Sequence, residues 1–114
     1  MHAKLIDDFG GTPGVLNENL LHSALAAPYQ SFDGKLLFPT IEEQAVRLCY
    51  GLIKNHPFVD GNKRIGIMAL LVTARLNSLT INANNEDLIM LGFGIAKKSI
   101  DYQAALAWVK QHQK

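Results

Sequence analysis

The sequence HPFVDGNKR, at residues 56–64, decides how this chain folds, because it separates two apolar stretches that have helical spacing. Pro57 has no backbone N–H and keeps the residue before it out of the right-handed helical region. A helix that runs through Leu48 and Leu52 should therefore end near Asn55. His56 is then expected at a helix end.

A second helix is expected to open at Gly61 and Asn62. Its first N–H groups have no acceptor inside the helix, and they face outward at the positive end of the helix dipole. Such an end binds phosphate. Gly61 lacks a Cβ, so the backbone can approach a phosphate closely.

Five polar side chains of the same stretch have chemistry that suits the transfer of a phosphoryl or nucleotidyl group. His56 can accept a proton from an attacking hydroxyl near neutral pH. Asp60 offers the hard oxygens that Mg²⁺ prefers. The Asn62 amide can donate to a phosphate oxygen, Arg64 can bind phosphate with two parallel hydrogen bonds, and Lys63 supplies a compact charge.

The alternative is a purely structural loop. Phe58 is predicted to anchor the loop in the core and has no chemical role. Taken singly, the polar residues are more often structural, and an Asp before Gly-Asn is often a helix cap. A cap needs only one of these side chains, so the ordered set favours a functional site.

The stretch resembles the signature of the Fic/Doc superfamily, and specifically its Doc branch. Fic enzymes show the pattern His, any residue, Phe, any residue, Asp or Glu, Gly, Asn, Gly, Arg, two further residues and Arg. This chain matches through Asn62 and then departs twice. Lys63 stands where Fic enzymes have the second Gly, and Ile67 stands where they have the final Arg. The sequence Asn-Lys-Arg is the form that Doc-like toxins carry.

The similarity extends beyond the motif, to Phe9-Gly10-Gly11 and to residues 20–26 and 52–55, so it covers nearly the whole chain. It implies one Fic-like domain over residues 1–114, with an N-terminal helix that begins about three turns late.

The Doc resemblance implies a toxin that transfers the γ-phosphate of ATP to a threonine hydroxyl of elongation factor Tu and so halts translation. His56 would be the general base, and Asp60 would hold Mg²⁺. The residues that would hold the phosphates are Gly61, Asn62, Lys63 and Arg64. An antitoxin with a disordered tail is the implied partner, folding onto this domain as a helix that blocks the nucleotide site.

Two other functions remain open: a Fic-like AMP transferase and a catalytically silent binding module. In the Fic pattern, small residues let the terminal phosphates of ATP enter the loop, so AMP is transferred. Lys63 fills that space and adds charge. The Doc resemblance implies that ATP then binds in the opposite orientation, with its γ-phosphate at the reacting position.

Composition limits the class of protein. The 114 residues, of which 48% are apolar, are enough for one compact core. The net charge of +1 and the absence of a basic run argue against nucleic acid as a direct partner. Cys49 is the single cysteine, which precludes an internal disulfide, and the N-terminus does not resemble a signal peptide, so we expect a cytoplasmic protein. The longest apolar run, residues 65–72, is too short to cross a membrane.

The predicted fold class is all-α, a compact bundle around a central apolar helix at residues 62–77. Thr40 and Glu43 form a predicted capping box. The predicted helices cover residues 4–9, 17–27, 41–55, 62–77 and 86–97, with a last helix capped by Ser99.

Residues 30–38 interrupt the helical pattern, and Asp33-Gly34 is a strong signal for a two-residue hairpin turn. This segment is either a short β-hairpin flap or an ordinary loop. In the Fic superfamily such a flap aligns the target segment by strand pairing.

Overall fold

Helices make up most of the computed structural model, which describes residues 17–57 and 61–113. The all-α prediction is confirmed, while the predicted helix at residues 4–9 lies outside the described residues. No helix in the two described ranges is both long and apolar enough to cross a bilayer. The elements are α1 (Glu18–Ala26), a 3-10 turn (Ala27–Tyr29), β1 (Ser31–Phe32), β2 (Lys35–Leu36), α2 (Ile41–Asn55), α3 (Asn62–Leu76), α4 (Asn85–Ala96) and α5 (Tyr102–His112).

Side-chain caps fix where the helices begin. Asn17 caps α1 by accepting from the N–H three residues on, at 3.0 Å. Thr40 Oγ1 accepts from the Glu43 N–H at 3.1 Å, and the Glu43 carboxylate accepts from the Thr40 N–H at 3.2 Å, so the predicted capping box is confirmed. Asn84 begins α4 in the same way.

The prediction that Ser99 caps the last helix is wrong, because Asp101 caps α5 and accepts from the Ala104 N–H at 2.8 Å. The Ser99 hydroxyl instead donates to the Gly94 carbonyl at 3.2 Å. Ser99 therefore caps the C-terminal end of α4. Asp101 is the next residue with a capping side chain, and α5 begins after it.

Two apolar clusters share α2, which contributes residues to both. One joins α1, α2 and α3 through Leu21, Ala24, Leu25, Leu48, Leu52, Ile65 and Ala69. The other joins the four helices α2, α3, α4 and α5 through Ala45, Val46, Cys49, Ile53, Leu70, Leu91, Ile95, Ala105, Leu106 and Val109. Helix α2 is thus the most enclosed helix of the described residues.

Helix α3 packs against α2 at a point of unusually close approach. A Cβ on Gly66 would lie 2.6 Å from Ile53 Cγ1 and 3.0 Å from the Cys49 carbonyl oxygen, which is too close for a side chain. The sequence placed this helix at the centre of the bundle, but Met68 and Leu76 stay exposed on its outer side. The central position is shared by the α2–α3 pair.

Of the two alternatives left open for residues 30–38, the structure has the β-hairpin and not the ordinary loop. Ser31 pairs with Leu36 and Phe32 with Lys35, and Asp33 and Gly34 both have positive φ, at 54° and 77°, as a type I′ turn requires. The segment after the hairpin is held at the N-terminal half of α2, where the Gln44 side-chain amide donates to the Phe38 carbonyl at 3.0 Å.

Cys49 is a structural residue of the core, as predicted. Burial raises the pKa of its thiol to about 12. The thiol therefore stays protonated at neutral pH and is a poor nucleophile.

We expect Gly66→Ala to lower the free energy of unfolding by about 1–3 kcal/mol, because the added methyl group overpacks the contact with Ile53. Gly51→Ala is the matched control, since its Cβ would lie 3.4 Å from Ala24, an ordinary contact distance. Urea unfolding of both variants measures the difference. Equal stability of the two variants would show that the α2–α3 approach is not tight at Gly66.

Candidate functional site

The C-terminal end of α2 is held in a strained backbone conformation at His56. This residue has φ 53° and ψ 51°, the left-handed region, which costs a non-glycine residue about 1–3 kcal/mol. The following residue, Pro57, is buried, and its carbonyl accepts from the Asn17 N–H at 3.1 Å. The start of α1 thus fixes the chain just beyond His56, while the imidazole itself is exposed.

The start of α3 presents backbone donors. Gly61 is the N-cap, with φ 79° and ψ 14°, a conformation that favours glycine. Its carbonyl accepts the first bond of the helix, from the Ile65 N–H at 2.8 Å. The N–H groups of Lys63 and Arg64 have no acceptor among the described residues, as expected for the first turn of a helix.

The two helix ends meet through Asn62 and His56. The Asn62 side-chain nitrogen, Nδ2, lies 3.1 Å from His56 Nδ1, and Asn62 is only 4% exposed although it is polar. The contact fixes the orientation of the ring and occupies Nδ1. Nε2 makes no hydrogen bond with a described residue.

A groove of about 590 Å³ runs along α3 and α4 from this point. Its polar end carries two exposed cations, Lys63 and Arg64, beside Gly61. The other lining residues are mostly apolar: Ile67, Met68, Leu71, Asn85, Leu88, Ile89, Gly92 and Phe93. Such a groove suits a ligand with an anionic end and an apolar body.

Helix α4 closes over the first turn of α3 at Gly92. A Cβ on Gly92 would lie 3.4 Å from Ile67 Cγ1 and 3.5 Å from Lys63 Cβ. The next residue, Phe93, lies with its ring centroid 6.0 Å from Lys63 Nζ.

The structure brings together most of the predicted site residues. Gly61, Lys63 and Arg64 line the groove, and Asn62 joins this group to His56. The predictions for Phe58 and Asp60 concern residues outside the described ranges, so their roles stay predictions.

A second cavity in the described residues has fewer charged side chains than the groove. This cavity, of about 320 Å³, lies between the end of α3 and residues 79–81, with Arg75 as its only charged lining residue. No group of three or more His, Cys, Asp or Glu side chains within residues 17–57 and 61–113 is arranged to hold a metal ion. Among the described residues, no hydrogen bond or ring contact joins the hairpin to His56, so the role of the hairpin in aligning a target also stays a prediction.

Sequence reasoning missed the wall that α4 contributes to the groove. Gly92 within an apolar helix is a signal of close packing, but a glycine does not say which helix it meets. Ile67, Leu88 and Phe93 belong to the groove because α4 lies against α3, and no local pattern in the sequence encodes that pairing.

Comparison with known proteins identifies the family of this chain. Residues 1–74 match the model of the Fic/DOC family. The chain is also similar to Toxin Doc of Mycolicibacterium smegmatis, with 33% identity over 76 residues, which are 67% of this chain and 58% of that protein. The resemblance to the Doc branch is thereby confirmed. The family match covers more than half of the chain and includes all of HPFVDGNKR, and the chain therefore belongs to the Fic/DOC family.

Proposed function

We propose that this protein is a Doc-like toxin that transfers the γ-phosphate of ATP to a threonine hydroxyl of a protein target. Elongation factor Tu is the target that the Doc resemblance implies, and arrest of translation is the consequence. Because the chain spans about 58% of the length of its curated relative, activity, target and partner are all parts of this proposal.

The observation that carries the proposal is the pair Lys63 and Ile67, which lie one turn apart in the same groove. Lys63 supplies a cation where the Fic pattern has a small glycine. Ile67 forms an apolar wall against Gly92 where that pattern has an arginine. A groove with these two residues lacks the space and the second guanidinium that the Fic orientation of ATP uses, and this favours the γ-phosphate as the group transferred.

The geometry of His56 supports a role as general base. The threonine oxygen forms a bond to the γ-phosphorus, the bond from that phosphorus to the bridging oxygen breaks, and ADP leaves. The hydroxyl proton passes to Nε2 of the imidazole. As placed, the Asn62 Nδ2 donates to Nδ1, which puts the ring proton of a neutral imidazole on Nε2. Nε2 accepts the hydroxyl proton in the other orientation of the Asn62 amide, in which the side-chain oxygen faces a protonated Nδ1.

The phosphates would lie at the start of α3. The Lys63 and Arg64 N–H groups and side chains are available there, and the helix dipole favours an anion. Arg64 can bind two phosphate oxygens at once. Lys63 adds a point charge.

Mg²⁺ is the proposed cofactor, and the donor available to it by sequence is Asp60, which directly precedes the groove residue Gly61. A carboxylate together with phosphate oxygens and water is the ligand set that Mg²⁺ prefers. The ion would neutralise phosphate charge.

We further propose an antitoxin whose disordered tail folds into the α3–α4 groove. Met68, Ile89 and Phe93 expose apolar surface there, at 41%, 66% and 49%, which an amphipathic helix would cover. Because the same groove ends at Lys63 and Arg64, a helix bound in it would block the phosphate site.

We expect His56→Ala to lower the rate of phosphate transfer by about 10²–10⁴-fold, the usual loss for a general base. The imidazole is exposed, so the fold should persist, which thermal unfolding can check. His22→Ala is the control, since His22 is an exposed histidine on α1. Full activity in a folded His56→Ala variant would contradict the assignment.

Asp60→Asn tests the metal site, because the amide keeps the shape and the capping ability of the side chain but loses the charge. We expect the variant to need a higher Mg²⁺ concentration for half-maximal transfer. A titration of activity with Mg²⁺ measures this. An unchanged Mg²⁺ dependence would leave Asp60 as a helix cap only.

Labelled ATP tests the direction of transfer. We expect the wild-type chain to move the γ-label and not the α-label to its target. Lys63→Gly should weaken γ-transfer and permit some α-transfer, and Lys63→Gly with Ile67→Arg should permit more. Lys63→Ala is the control, since it removes the charge without adding backbone freedom.

Transfer of the α-label by the wild-type chain would replace the kinase proposal with an AMP transferase. If neither label is transferred to any protein, the catalytically silent binding module is the function that remains. Loss of γ-transfer without any gain of α-transfer in the Lys63 and Ile67 variants would keep Lys63 as a cation of the site but reject it as the residue that orients ATP.

A further inference from the structure

Phe93 makes a contact that core packing does not explain. Its side chain is 49% exposed, yet two ammonium groups lie against its ring, Lys97 Nζ at 5.3 Å and Lys63 Nζ at 6.0 Å from the centroid. An ammonium within about 6 Å of a ring centroid is attracted by the negative face of the ring. One of these two lysines belongs to the candidate site.

The backbone of α4 places Phe93 beside Lys63. At Gly92 the helix approaches α3 so closely that a Cβ would lie 3.5 Å from Lys63 Cβ. The Lys63 side chain therefore leaves α3 directly alongside α4, and the residue after Gly92 meets its ammonium. A larger residue at position 92 would separate the two helices and lengthen this contact.

Among the described residues, no carboxylate forms an ion pair with either lysine, Lys63 or Lys97. Within the part of the chain that the structure describes, the ring is the contact recorded for the Lys63 ammonium, which ends a flexible four-carbon stem. A side chain that is already ordered loses less freedom when it binds a ligand.

Building on the proposed function, we propose that Phe93 is a positioning residue that holds the Lys63 ammonium at the polar end of the groove for a phosphate-bearing nucleotide. Phe93 touches no reacting atom and acts through Lys63. Lys97, against the same ring, adds positive potential that attracts the anion.

The first test compares Phe93→Leu with Phe93→Tyr. Leucine keeps an apolar side chain but removes the ring, and we expect the dissociation constant for ATP, measured by titration, to rise about three- to fivefold. Tyrosine keeps the ring and should restore wild-type affinity. Met90→Leu is the control, because Met90 is exposed on the same helix and does not line the groove.

A double-mutant cycle separates positioning from a general structural effect. In a Lys63→Ala background, Phe93→Leu should change ATP affinity no further, because its partner is already absent. Losses that simply add, or a Phe93→Tyr variant as weak as Phe93→Leu, would overturn the proposal.

A third measurement does not depend on the chemistry of the site. The methylene protons at the end of the Lys63 side chain should show ring-current shifts in NMR spectra, and Phe93→Leu should abolish those shifts. Unmoved Lys63 signals would overturn the positioning role even if γ-transfer is confirmed.

A wild-type chain that binds ATP but transfers neither label would refute the proposed function. The double-mutant cycle, which measures ATP affinity, would still decide the role of Phe93.

Discussion

The candidate site depends on the close packing of α2 against α3 at Gly66. No side chain separates the helices there, because a Cβ on Gly66 would lie only 2.6 Å from Ile53 Cγ1. The residue that caps the C-terminal end of α2 can therefore meet the first residue of α3. The 3.1 Å contact between Asn62 and His56 is the result. The proposed general base and the proposed phosphate-binding turn come from different helices, and apolar packing below them holds them together.

Backbone conformation shapes the site as much as its side chains do. The left-handed residues His56 and Gly61 lie on either side of the intervening loop. The glycine adopts this conformation at little cost, whereas the histidine is held in it by the buried Pro57 and by the bond from Asn17 to the Pro57 carbonyl. Strain of this kind persists only where the surrounding structure fixes it, so the orientation of the imidazole is preset before any ligand arrives.

The asymmetry of the groove gives a physical link between the proposed catalysis and the proposed inhibition. Its polar end carries Lys63 and Arg64, and the rest of its wall is largely apolar. A nucleotide and an amphipathic helix with an acidic end would present the same arrangement of charge and apolar surface to it. The two would therefore compete for one surface, and inhibition would need no change in the fold.

Local physical chemistry let the sequence determine both ends of α2. The proline after His56 and the reciprocal cap of Thr40 and Glu43 act over a few residues, and both helix boundaries were predicted correctly. The Asp33-Gly34 turn also acts locally, but the sequence left a hairpin and an ordinary loop both open there. The start of α5 was missed because two possible caps lie close together and the end of α4 takes one of them. Only the tertiary structure decided that α2 is the most enclosed helix, that the Asn62 amide meets the imidazole, and that Phe93 lies on Lys63, because those contacts depend on how closely helices from distant parts of the chain approach one another.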